Sequence, residues 1–191
     1  MWWAQLLNTI TAILDAGGAA SAPGAFESIA TASGSGVSTI TFSSIPSTYK
    51  HLQIRALNTV SDGSRWSMRF NSDTGNNYFM HYLLGNGSTA SASSSGGASD
   101  QINGVIHGGG STTYPAVAVM DLIDYASTTK NKTLRLMTGT DDNGATGYNF
   151  LYLKSGLWMS TSAVTSITIF NTSSTNGSTG STFALYGIKG A

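Results

Sequence analysis

The sequence predicts an all-β protein, an antiparallel jelly-roll-like β-sandwich preceded by one short N-terminal helix. Three observations predict it. From Val37 onward apolar and polar residues alternate with period two, as where Trp66, Met68 and Phe70 oppose Ser67 and Arg69. Asn-Gly pairs at 86–87, 103–104, 143–144 and 176–177 fall between or beside the alternating runs. That dipeptide favours the positive backbone angles of tight hairpins. Helical spacing occurs only before Gly17, so folds that need crossover helices are excluded.

In chain order, Trp3, Leu7, Ile10 and Leu14 recur at intervals of four, three and four, with Leu6 and Ile13 beside them and Trp2 at the start. This is a helical apolar stripe over residues 1–16 that Gly17-Gly18 ends. It is too short to span a bilayer, which takes about 20 residues. It lacks the basic leader of a signal peptide. No Lys or Arg flanks it for a membrane surface. A lone helix of this length is marginal in water, so the stripe must dock, either on its own domain or on symmetry mates or a partner protein. Residues 17–36, small and interrupted by Pro23, read as a flexible linker carrying one short strand around Phe26–Thr31.

Residues 37–191 then read as the sandwich, with strands expected at 37–43, 50–57, 65–70, 78–84, 102–107, 116–124, 132–138, 148–154, 163–170 and 182–189. At "FSSIPSTYKHLQIR" the alternation stops at Pro46 and resumes in another phase. Proline cannot donate to a ladder, and it presets a turn. The segment is a strand corner.

Composition narrows the function. Charged residues are only 9% of the chain, and the nine basic and nine acidic side chains balance. There is no electrostatic footprint for nucleic acid. Cysteine is absent, which removes disulfides, thiolate catalysis and cysteine zinc sites. His51, His81 and His107 stand alone, where zinc wants clustered ligands. "TDDNGATG" at 140–147 echoes a calcium loop but lacks the later glutamate, since Glu27 is the only one in the chain, and it reads as a hairpin turn. "HGGGST" at 107–112 lacks the Lys and helix of a phosphate cradle and reads as a flexible loop. There is no G-x-S-x-G elbow. Asp121 and Asp124, in a strand apolar on both faces, call for Arg or Lys pairing. No catalytic residue, cofactor or metal is expected. Tyr78, Tyr82, Tyr114, Tyr148, Tyr152 and Trp158 are either sandwich packing or sugar-stacking rings, with Tyr78, Tyr114 and Tyr148 the candidate glycan contacts.

The blocks "FESIAT", "ITFSSIPSTYKHLQIR", "RFNSDTGNNY", "DLIDYASTTKNKTLR", "SGLWMSTSAVTSITIF" and "FALYGIKGA", in this order from Phe26 to the C-terminus, resemble a family of small virion structural proteins of tailed bacteriophages, including marine and cyanobacterial phages. None of the blocks is a catalytic motif. The resemblance implies a non-enzymatic component of the virion surface, a capsid decoration or a tail fibre or appendage. Self-association is expected because the charge-poor surface, the missing disulfides and the heptad-like stripe leave apolar area to be covered by copies of the chain, and a homotrimer is expected from Leu and Ile mixed along the seam and from what the resemblance implies. Trp2, Trp3, Leu6, Leu7, Ile10, Ile13 and Leu14 are the expected docking residues, facing other copies or other virion proteins. The alternative is a host-glycan-binding adhesion module.

Overall fold

The computed structural model describes residues 24–60, 62–95, 97–142, 144 and 147–190. The expected N-terminal helix, its docking residues Trp2 to Leu14 and the first part of the linker lie outside the described residues. The rest is all-β. Twelve strands run β1 Phe26–Ser33, β2 Thr39–Phe42, β3 His51–Val60, β4 Arg65–Phe70, β5 Tyr78–Gly85, β6 Ala90–Ser94, β7 Ile102–His107, β8 Ser111–Ile123, β9 Lys132–Thr140, β10 Phe150–Trp158, β11 Ile167–Asn171 and β12 Thr182–Ile188. They form an eight-stranded antiparallel sheet in the order β1-β12-β3-β8-β9-β10-β5-β6 and a four-stranded antiparallel sheet in the order β2-β11-β4-β7. One apolar cluster draws on both: Ile40, Trp66, Met68, Phe70 and Ile169 from the small sheet, Leu52, Ile54, Met120, Leu136, Trp158 and Phe183 from the large one. Trp66 meets Phe183 with ring centroids 5.3 Å apart, and Phe70 meets Trp158 at 5.6 Å.

The phase change at Pro46 is the passage between sheets. Ile40 and Phe42 point into the core from β2, and Leu52, Ile54 and Ala56 point into it from β3 on the other side. The corner is pinned: Ile45 is buried with its amide donating to Thr165 O at 3.0 Å, and the Tyr125 hydroxyl donates to Pro46 O.

Several expectations need correction. The strand in the supposed linker is a full edge strand, β1, registered against β12 from Phe26 to Ser33. The strand expected at 148–154 runs from Phe150 to Trp158, and β6 was not expected. Its sequence, "ASASS", is strand only because it pairs with β5. Asn103-Gly104 is no turn. It lies inside β7, where Gly104 adopts φ +60 and the register against β4 slips between Trp66 and Met68, a bulge. Nor is 107–112 a loose loop. The Gly108 amide donates to Ser64 O at 2.8 Å, and a Cβ there would stand 2.5 Å from Val60 and 2.6 Å from Asp62 O. Its glycines allow close approach.

Candidate functional site

The aromatic and acidic candidates resolve into structural roles. Tyr78 is fully buried, its hydroxyl donating to Phe70 O and Asp73 O, and burial raises its pKa to about 12. It offers no face to a sugar. Trp158 packs beside it and donates Nε1–H to Asp73 Oδ2 at 2.7 Å. Asp73 also accepts from the Gly75 amide and Asn77, and these bonds hold its carboxyl below the usual range. The "RFNSDTGNNY" block is therefore a pinned connection between β4 and β5.

Tyr148 and Tyr114 are half-buried and belong to different surroundings. Tyr148 lies on Gly63, where a Cβ would fall 2.0 Å from its ring, and meets Phe150 edge-on. Tyr114 is on β8, its carbonyl against Gly109. Asp124 sits just past β8, paired with Lys50 at 3.0 Å and Lys130 at 2.8 Å, which pull its pKa down to about 2. Asp121 differs from expectation: Gln53 Nε2 donates to its Oδ1 at 2.8 Å, while its cross-strand neighbour Arg135 donates to Ser155. In the 140–147 turn, Asp142 is buried and accepts from the Gly144 amide at 2.9 Å. His51 accepts the Asp124 amide at Nδ1, and no group of three metal-ligating side chains occurs among the described residues.

One cluster was missed from sequence. Alternate residues of β10, Tyr152 and Lys154, point inward next to β7. Lys154, 3% exposed, donates to Gly104 O at 2.6 Å and lies 3.1 Å from His107 Nε2. Its ammonium stands 4.4 Å from the Tyr152 centroid and 5.4 Å from that of Tyr82, within cation–π range. Burial, with the Arg65 charge, lowers the Lys154 pKa to about 7. Burial first, then Lys154 and Arg65, lowers that of His107 to about 2, so the imidazole is neutral and Nε2 accepts. Gly104 closes the cluster, since a Cβ would stand 2.9 Å from both Lys154 Nζ and His107 Nε2. The signal was the spacing in "YNFLYLK", aromatic at 148, 150 and 152 and then Lys154 on the same strand face. The amine's contacts are internal, and the cluster braces the bulge.

The feature facing outward is the large sheet's other side. Alternation that sends Ala118, Leu136, Lys154 and Tyr82 inward sends Val119, Met137, Leu153 and Leu83 outward, and the register sets these four side by side on β8, β9, β10 and β5. Val117 and Leu151 flank them through Gly139. These six side chains are between 39% and 58% exposed. A shallow depression of about 660 Å³ runs along Val117, Val119, Met137 and Leu151.

No protein-family model matches the chain, and no curated protein matches it. Among solved structures, a mutant of alginate lyase Aly36B in complex with an alginate tetrasaccharide aligns at 8% identity and a TM-score of 0.28, over 74% of this chain and 71% of that one. So slight a likeness carries no argument about fold or chemistry.

Proposed function

We propose that the chain is a non-enzymatic structural component of a tailed-phage virion, an oligomeric β-domain displayed on the particle surface as a capsid decoration or a fibre-like appendage. The observation that carries this reading is the outer face of the eight-stranded sheet, an apolar surface built from Leu83, Val117, Val119, Met137, Leu151 and Leu153. Contiguous apolar patches of this kind mark interaction surfaces. The ordered sequence blocks that resemble virion proteins supply the setting. The jelly-roll-like reading is supported by a chain that passes repeatedly between the two sheets. Association of copies, as a homotrimer, would cover the patch. Labelling purified particles with antibody against the protein tests the location. Replacing Met137 and Leu153 by Lys in the full chain should leave the circular dichroism unchanged and cut copy number on particles at least tenfold. Normal copy number would overturn the reading.

The second reading, a host-glycan-binding module, draws support from Tyr148 and Tyr114, half-buried rings near the surface. Its test is loss of glycan-array binding in Tyr148→Ala.

A further inference from the structure

We propose that the space between the two sheets, at the end of the core closed by residues 107–112, holds one or two ordered water molecules bound by Asn58, Trp66, Thr138 and Thr140. The site is internal to each copy and does not depend on the assembly reading of the outer face.

Alternation along the strands places these side chains on the core side. Asn58 follows Ile54 and Ala56 on the inner face of β3 and is fully buried. Its register partner on β8 is Ala116, and the next inward residue of that strand, Ala118, pairs with Thr138 of β9. Thr140 is the following inward residue of β9. From the small sheet, Trp66 is fully buried with its ring 5.3 Å from that of Phe183, whose strand partner is Ala56. The indole therefore stands beside the stretch of β3 that carries Asn58.

Each of these side chains buries polar atoms that the protein leaves unpaired. Asn58 Oδ1 and Nδ2, Trp66 Nε1, Thr138 Oγ1 and Thr140 Oγ1 have no hydrogen-bond partner among the described residues. Buried polar groups are nearly always satisfied, by protein or by ordered water. The buried Tyr78 and Trp158 show the first solution, donating to Phe70 O, Asp73 O and the Asp73 carboxylate. The amide and the hydroxyls do not reach each other. Two strand spacings, roughly 10 Å, separate their backbones, and only the methyl groups of Ala116 and Ala118 lie between. Bridging water at about 2.8 Å per bond spans such a gap.

The chemistry of the set selects water as the guest. The amide offers two donors and an acceptor, the indole one donor, and each hydroxyl one donor and two lone pairs. None of the four side chains is charged, so nothing in the set calls for an ion. Polar walls of this kind take water, whereas apolar ones stay dry. Backbone closes the site: a Cβ at Gly109 would stand 2.8 Å from Thr140 Oγ1. Tyr152, the strand partner of Thr138, closes another side by stacking on His107 at 4.1 Å. Water held there leaves only when this end of the core opens.

The test is nuclear Overhauser spectroscopy at the water frequency on the nitrogen-15-labelled full chain. The Trp66 indole N–H, identified by its loss in Trp66→Phe, should show a cross-peak with the sign of long-lived bound water. Asn58→Leu with Thr140→Val keeps the heavy-atom shapes and removes the polar atoms. It should abolish the cross-peak and lower the urea midpoint. Absence of the cross-peak in the unsubstituted chain overturns the proposal, as does one that persists unchanged in the double variant. A raised midpoint also overturns it, since apolar replacement of dry, unpaired groups is stabilising. Where the double variant fails to fold, Thr140→Val alone should weaken the cross-peak at least twofold, and an unchanged one overturns the proposal.

Discussion

The two outward faces of this protein obey the same alternation and carry opposite chemistry. On the four-stranded sheet the outward residues are Thr39, Thr41, Arg69, Thr168 and Phe170. Thr41 and Thr168 share a hydrogen bond at 3.3 Å, and Arg69 pairs with Asp100 while its guanidinium covers the Phe170 ring at 4.7 Å. That face satisfies itself in water. On β8, β9, β10 and β5 of the eight-stranded sheet the outward set includes Val117, Val119, Met137, Leu151, Leu153 and Leu83, and covering the exposed half of each would be worth on the order of 1 kcal/mol. A period-two pattern therefore separates inside from outside in each strand. It does not by itself say whether the outside is meant for water.

The comparison breaks most visibly in the core. Phe183→Ala, which opens a void against Trp66, should cost about 3–5 kcal/mol in denaturant unfolding. Leu151→Ala, on the exposed face of the same sheet, should cost under about 1 kcal/mol in the same measurement. Equal costs would mean that the outer face is covered as fully as the core.

A second contrast is set by pH, because the large sheet's inner face holds the buried Lys154 amine while the outward set Leu83, Val119, Met137 and Leu153 carries no titratable group. The folded pKa of Lys154, about 7, lies below its ordinary value of 10.5. Between those values the unfolded chain holds a proton that the folded one lacks, so stability should rise with pH across that window. Lys154→Met should flatten the rise. His107, depressed from 6.5 to about 2, acts on the acid side: stability present above pH 6.5 is lost as the pH falls below it toward 2. Urea midpoints measured from pH 3 to 10 check both limbs.

Gly104→Ala should cost about 1–2 kcal/mol through its left-handed backbone alone. The added methyl should also disturb the Lys154–His107 contact and so change the alkaline slope. The smallest effect sharpens the comparison of faces. Thr41→Lys and Met137→Lys should each shift folding stability by less than about 0.5 kcal/mol, in line with ordinary surface substitutions. Only Met137→Lys should change sedimentation or dye binding in the intact chain.

Within single strands the sequence was informative. Trp66, Met68 and Phe70 in β4, and the phase change that moves the chain from β2 to β3 at Pro46, are local patterns, because side-chain direction along a strand is fixed by the backbone itself. The bulge at Asn103-Gly104 was not legible, since the same dipeptide serves a hairpin at Asn86-Gly87, where Asn86 Oδ1 accepts from the Ser88 and Thr89 amides. The partners at each site decide which it makes. "ASASS" has no side-chain contrast to read and becomes a strand through β5 alone.

The candidate surfaces fall on the tertiary side for the same reason. Val119, Met137, Leu153 and Leu83 are each an unremarkable residue in its own strand, and Lys154 meets the Gly104 carbonyl fifty positions away. What the sequence by itself determined is the all-β class and the inward set of most strands, because those follow from local periodicity and burial. Only the tertiary structure decided which strands are neighbours and in what register, and so which outward residues form one apolar face and which inward amine lies against which carbonyl. Register between distant strands is settled by the packing of the whole core.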